Sequence, residues 1–233
     1  VTEEHPTLIA GRYRIGTMLG RGGMGVVWRA TDEFLEREVA IKEMRLPVAS
    51  GQETATAHGR TMREARSAAK LSHTAIITVH DVITHDDRPW IVMELIDGPS
   101  LAEVVRLNGP LPRNRVADIA ISLLTALDAA HRKGILHRDV KPANVLVDGD
   151  RVVLTDFGIA AVDGSTALTA TNQIIGSPQY LAPERITDGR TGPPGDLWSL
   201  GVTLYVALTG RPRSNGRTPR RCSPPCSPRP RRR

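Results

Sequence analysis

The sequence predicts an α+β chain, with a β-sheet and one helix first and a mainly helical second half. Residues 13–45 alternate apolar and polar around a glycine cluster, "YRIGTMLGRGGMGVVWRATDEFLEREVAIKEM". That is the pattern of strand, tight turn, strand, turn, strand. Residues 114–133 place Val116, Ile119, Leu123, Leu124 and Leu127 at helical spacing, which predicts an amphipathic helix. "DLWSLGVTLYVALTG", from Asp196, is apolar on nearly every face, as a helix at the centre of a domain would be.

The remaining elements follow the same logic. From about Thr54 to Leu71 the pattern turns helical and charged. "AIITVHDVITHDDRPWIVMELI" reads as two strands around a polar turn, which brings the first sheet to five strands. "NVLVDGDRVVLTDFG" is a hairpin with Asp148 and Gly149 in its turn. A Thr-rich loop follows, and no internal repeat is present.

A chain of 233 residues suits one large domain or two small lobes. The net charge of +6 suggests nucleic acid or an acidic membrane until its distribution is read. Residues 211–233 hold nine arginines and no acid, which leaves the body with 22 basic and 25 acidic side chains. The body is mildly acidic, so no specific nucleic acid is expected as a partner. Both cysteines, Cys222 and Cys226, also lie in the tail, and a cysteine-free body suits a reducing cytoplasm. No run of about 18 apolar residues appears, so no membrane span is expected. "VTEEHPTLIAGR" is too polar for a signal peptide, and its Val1 fits either a GTG start codon or a processed end.

Gly20, Gly22 and Gly25 form G-x-G-x-x-G between two predicted strands, where backbone N–H groups can approach phosphate oxygens unobstructed. The same letters occur in dinucleotide-binding folds, but those want a helix straight after the glycines. Here Val26, Val27 and Trp28 continue into a strand. Further on come "VAIK" with Lys42, "HRDVKPAN" with Asp139, Lys141 and Asn144, "DFG" with Asp156, "LAPE" with Glu184, and "DLWSLG" with Asp196.

In this order the motifs resemble those of the eukaryotic-like (Hanks-type) serine/threonine protein kinases. The phrases "LGRGGMGVVWRA", "REVAIKEMRLP" and "HRDVKPANVLV" look most like actinobacterial members, and the match covers roughly residues 11–210. The resemblance implies a two-lobed fold, with residues 13–96 as the N-lobe (a five-stranded sheet and helix C) and 97–210 as the C-lobe. It implies ATP and Mg²⁺ as cofactors and proteins with Ser or Thr acceptors as substrates. A dimer of kinase domains for autophosphorylation is expected.

The resemblance also assigns roles. Lys42 would contact the α- and β-phosphates and pair with Glu64, the glutamate that best fits helix C. Asp139 would accept or orient the proton of the attacking hydroxyl, and Lys141 would steady the transferred group. Asn144 and Asp156 would supply the oxygen ligands that Mg²⁺ prefers. Leu19, Val27, Ala40 and Leu146 would wall the adenine pocket, with Met93 behind, while backbone groups of Glu94 and Ile96 meet the purine edge. Lys141 favours Ser/Thr over Tyr substrates. Arg138 beside Asp139 suggests control by loop phosphorylation, with Thr169 and Thr171 the expected sites and Ser165 and Thr166 weaker ones. Ser177 stands where relatives usually carry threonine.

A family member continues past "ALTGRP" into further helices, and many carry a membrane anchor or sensor domain beyond the kinase domain. Here the chain turns to arginine, proline and cysteine instead, so a C-lobe cut after its central helix is expected. The tail reads as a basic arm, as an improbable Cys-x₃-Cys metal site, or as out-of-frame translation. The codons allowed for Arg213 to Pro228 include a G/C-rich set that, shifted by one base near Pro212, reads as an alanine-rich amphipathic helix. The out-of-frame reading is therefore the expectation. The expected activity is phosphate transfer to Ser or Thr hydroxyls, the chain's own loop included. The alternative is an inactive nucleotide-binding fragment or decoy.

Overall fold

A computed structural model of the chain describes residues 8–23, 25–44, 51–157, 178–187 and 191–211. Thr169, Thr171, Ser165, Thr166, Ser177 and the tail from Pro212 lie outside the described residues.

The first lobe is one antiparallel sheet with a helix against it. Its strands are β1 (Leu8–Ile9), β2 (Tyr13–Gly22), β3 (Gly25–Asp32), β4 (Arg37–Met44), β5 (Val79–His85) and β6 (Arg88–Glu94), in the order β1-β2-β3-β4-β6-β5. Five strands are those expected. The sixth, β1, is a two-residue edge in which Ile9 pairs with Tyr13. Alternation puts Ile9, Tyr13, Ala30, Val39, Ile41, Trp90 and Val92 on one buried face. Helix α1 (Gly51–Ala68) covers the other face, with Ala65 packed beside Met44 and Ile91.

The second lobe holds α2 (Leu101–Asn108), α3 (Arg113–His131), the hairpin of β7 (Val145–Asp148) and β8 (Arg151–Leu154), α4 (Pro183–Thr187) and α5 (Pro193–Thr209). Ile119, Leu123, Ala126, Leu127 and Ala130 of α3 meet Leu200, Val206 and Ala207 of α5 in one core. Each fully buried leucine of this kind contributes about 1.5–3 kcal/mol. Helix α5 is less enclosed than its sequence suggests. Leu197, Trp198, Tyr205 and Leu208 are exposed on it. Among the described residues no helix is long and apolar enough to cross a membrane.

Backbone bonds fix how the lobes meet. Ile77 N–H donates to the Leu154 carbonyl at 3.0 Å, and Leu154 N–H to the Ala75 carbonyl at 2.9 Å. The crossing segment, residues 94–99, lies against β7, where Val147 N–H donates to the Pro99 carbonyl at 2.9 Å. A Cβ on Gly98 would stand 2.0 Å from the Val147 carbonyl oxygen, so only glycine permits this approach.

Candidate functional site

The crossing segment, the sheet above and the β7–β8 hairpin below enclose a cleft of about 570 Å³. Leu19, Gly20, Val27, Ala40, Met93, Glu94, Ile96 and Leu146 line it, and Thr155 and Asp156 close its inner end. These positions come together because β2, β3, β4 and β6 pair in register: Gly20 opposite Val27, Val27 opposite Lys42, and Ala40 opposite Met93.

The three glycines do different things. A Cβ on Gly20 or Gly22 would meet nothing within 4 Å. One on Gly25 would stand 1.9 Å from the Glu43 carbonyl oxygen, and its φ of +148° is outside the range of L side chains. Gly25 therefore lets β3 approach β4. Neither Gly22 nor Gly25 lines the cleft.

Below the cleft lies the segment 137–144, in which the Lys141 and Asn144 side chains converge on Asp139. Its Oδ2 accepts from Lys141 Nζ at 2.6 Å and from Asn144 Nδ2 at 3.1 Å, and Asn144 Nδ2 also donates to the Asp139 carbonyl at 2.8 Å. Asp139 is part-buried, with one face open towards solvent. His137 is fully buried beneath it. Its Nδ1 accepts from Asp139 N–H at 3.2 Å, and its Nε2–H donates to the Thr155 carbonyl at 2.8 Å. Burial holds this imidazole below its usual pKa, against the pull of Asp196, so the neutral Nε2–H form fits both bonds.

Arg138 and Asp156 both have left-handed backbones, with φ of +67° and +63°. Non-glycine residues adopt this conformation at a cost of about 1–3 kcal/mol, so the surroundings must hold them there. Asp196 holds the first. This buried carboxylate on α5 accepts from Arg138 N–H at 2.7 Å, from His137 N–H at 2.9 Å and from His131 Nε2 at 2.8 Å. Arg185 Nη1 donates to the Arg138 carbonyl from the other side. Sequence reasoning identified Asp196 only as a motif letter. A lone carboxylate in an apolar helix was the available signal, since a buried acid needs donors.

One expected pairing is replaced. Lys42 Nζ lies 2.7 Å from Asp156 Oδ1, and Glu64 Oε1 lies 3.4 Å from Arg138 Nη1. Lys42 is 4% exposed, and a buried ammonium takes the nearest carboxylate. The face of α1 that carries Glu64 instead meets the segment below the cleft. For Asp156, burial by itself would push the carboxyl up, but Lys42 outweighs it and holds the group below the usual carboxylate range.

The donor set suits a hard cation. Both Nδ2 bonds of Asn144 go to Asp139, so its amide oxygen is the group free to face a metal. Asp156 keeps Oδ2 beyond the oxygen used by Lys42. Among the described residues no cluster of three or more His, Cys, Asp or Glu side chains could hold a metal alone. Two protein oxygens fit Mg²⁺ completed by phosphate oxygens and water.

A sequence model described as "Protein kinase domain" matches residues 13–221. The chain belongs to the protein kinase family. It is 41% identical over 204 residues to the serine/threonine-protein kinase PrkC of Bacillus subtilis, covering 87% of this chain and 31% of that protein. To the serine/threonine-protein kinase PknB of Mycobacterium leprae it is 39% identical over 220 residues, covering 92% and 35%. The chain thus spans about a third of the length of these relatives. The fold is similar to the crystal structure of the Mycobacterium tuberculosis PknI kinase domain, with a TM-score of 0.71, 32% identity and coverage of 94% of this chain and 80% of that one. This kinase-type domain has the two-lobed α+β fold that its motif order implies.

Proposed function

We propose that the cleft between residues 13–96 and 97–210 binds Mg·ATP and that the chain transfers the γ-phosphate to Ser or Thr hydroxyls of proteins. The observation that carries this reading is Asp139, held by Lys141 and Asn144 below the cleft whose inner end is closed by Asp156, itself paired with Lys42. Phosphoryl transfer asks the protein mainly for alignment and charge neutralisation.

In this reading the purine sits between Leu19, Val27, Ala40 and Leu146, and main-chain groups of Glu94 and Ile96 meet its edge. Gly20 and Gly22 leave the rim above the phosphates open, while Gly25 supports it through β4. Bound Mg²⁺, held by Asn144 and Asp156, would neutralise charge on the phosphates. Lys42 lies where it can add to that neutralisation. As the acceptor oxygen bonds to the γ-phosphorus and the bond from phosphorus to the bridging oxygen breaks, the hydroxyl proton passes to Asp139. Lys141, already on the Asp139 carboxylate, offers its charge to the transferring group.

Thr169 and Thr171 are the expected sites in the chain's own loop, modified by a second copy in a dimer of kinase domains. Arg138 is the cation that would receive such a phosphate, and alanine at both threonines should slow transfer to other substrates. A second reading, nucleotide binding without transfer, is favoured by the pairing of Lys42 with Asp156 and of Glu64 with Arg138. Incubating the purified chain with Mg·ATP and mapping phosphosites by mass spectrometry separates the two. Phosphoserine or phosphothreonine supports transfer, and bound nucleotide with no phosphorylation supports the second reading.

A further inference from the structure

The crossing segment carries two carboxylates, and each accepts from an arginine of the opposite lobe. Glu94 ends β6 in the sheet lobe, yet both its oxygens accept from Arg151 Nη2 at the start of β8, at 3.0 and 2.9 Å. Asp97 begins the helical lobe, yet it accepts from Arg29 Nη2 on β3. The two pairs therefore cross. Arg151 also reaches the second place where the lobes touch, since its Nε lies 3.4 Å from the Thr74 carbonyl. Glu94 Oε1 in turn accepts from Thr78 N–H at 2.8 Å. Residues 75–77 are the ones bonded to Leu154. Arg29, Glu94 and Asp97 all border the cleft.

We propose that Arg151 and Arg29 are positioning residues that set the angle between the lobes, and with it the width of the nucleotide cleft. This rests on the nucleotide reading given above. Two lobes joined by one short segment move relative to each other unless something spans the join. A single exposed ion pair contributes little to folding stability. Placed across a pivot, the same pair biases open against closed states, and apparent affinity scales with the closed fraction. Neither arginine touches the reacting atoms, so the effect belongs in nucleotide affinity and not in the rate of transfer.

The test uses the full chain and a fluorescent ATP analogue with Mg²⁺. Arg151→Ala and Glu94→Ala should each raise the analogue's Kd about two- to fivefold, and the double variant should be no worse than either. Arg151→Lys should recover part of the loss, and 0.5 M salt should shrink the difference between parent and variants. Without nucleotide, hydrogen exchange at the Thr78 amide should quicken in Arg151→Ala, while the melting temperature stays close to the parent's. Parent-like Kd and Thr78 exchange in Arg151→Ala would overturn the clasp, as would independent, multiplying effects of the two alanines. A parent that binds no analogue overturns the nucleotide reading and this role with it, a result distinct from variants that bind as the parent does.

Discussion

Lys42 and Asp156 face each other 2.7 Å apart across the join of the two lobes, one on β4 and the other just past β8. The pair keeps a carboxylate charged in a place where burial alone would favour its acid form. Asp156→Asn removes the anion and leaves the buried Lys42 ammonium without a charged partner. We predict at least a tenfold weaker Mg²⁺-dependent affinity for ATP in that variant, read by titration with and without the metal. Unchanged Mg²⁺ dependence would remove Asp156 from the cation site.

Asp196→Ala should destabilise the domain by about 2–5 kcal/mol, because the buried main-chain N–H of His137 and the part-buried one of Arg138 lose their acceptor. Asp196→Asn keeps one acceptor oxygen and should lose less. Denaturant unfolding measures both. Since a domain of this size is typically stable by about 5–15 kcal/mol, the alanine variant should also lose activity by unsettling the Arg138 backbone. An alanine variant as stable as the parent would contradict the role given to Asp196.

Stability should fall as the pH drops below about 6.5. His137 is held below its usual value of 6.5 by burial, and His80 by burial with Arg37 adding to it. Below pH 6.5 the unfolded chain takes up protons that the folded one refuses, so the stabilisation is complete above that pH and declines beneath it. Each group contributes a slope of at most about 1.4 kcal/mol per pH unit. Urea midpoints at pH 7.5 and 5.5 check this, and equal midpoints would contradict it.

The glycines offer a paired test. Gly25→Ala forces a Cβ against the Glu43 carbonyl at a φ that alanine avoids, and should cost about 2–4 kcal/mol. Gly20→Ala meets nothing within 4 Å and should leave stability within about 0.5 kcal/mol of the parent, while weakening nucleotide binding at the rim. Thermal melts of both variants decide it, and equal losses would contradict the distinction.

Much of this was legible in the sequence because its causes are local. Alternation marks β2 to β6, turn chemistry marks Asp148-Gly149, and the resemblance to a kinase motif set picks out Asp139, Asn144 and Asp156. Three elements were missed for different reasons. Helix α4 is five residues long, too short to show a period. Strand β1 is two residues long and exists only by pairing with β2, so it has no pattern of its own. Helix α2 is short, yet its capping box was readable: Ser100 accepts from Glu103 N–H, and the Glu103 carboxylate accepts from Ser100 N–H at 2.8 Å. The partner of Lys42, the donors to Asp196 and the crossed arginines of Glu94 and Asp97 depend on how distant elements are turned towards each other. No local period records that.

Mass spectrometry of the purified chain after incubation with Mg·ATP, beside Asp139→Asn, tests the central claim most directly. In the proposed mechanism Asp139 acts on the hydroxyl and not on the nucleotide, and a positioned base of this kind typically contributes ~10²–10⁴ in rate. The account predicts phosphate on Ser or Thr side chains, including Thr169 or Thr171, in the parent. It predicts a loss of at least about a hundredfold in the variant, with ATP binding nearly intact. Phosphorylation at equal rates in the two proteins, or none in a parent that binds Mg·ATP, would contradict it.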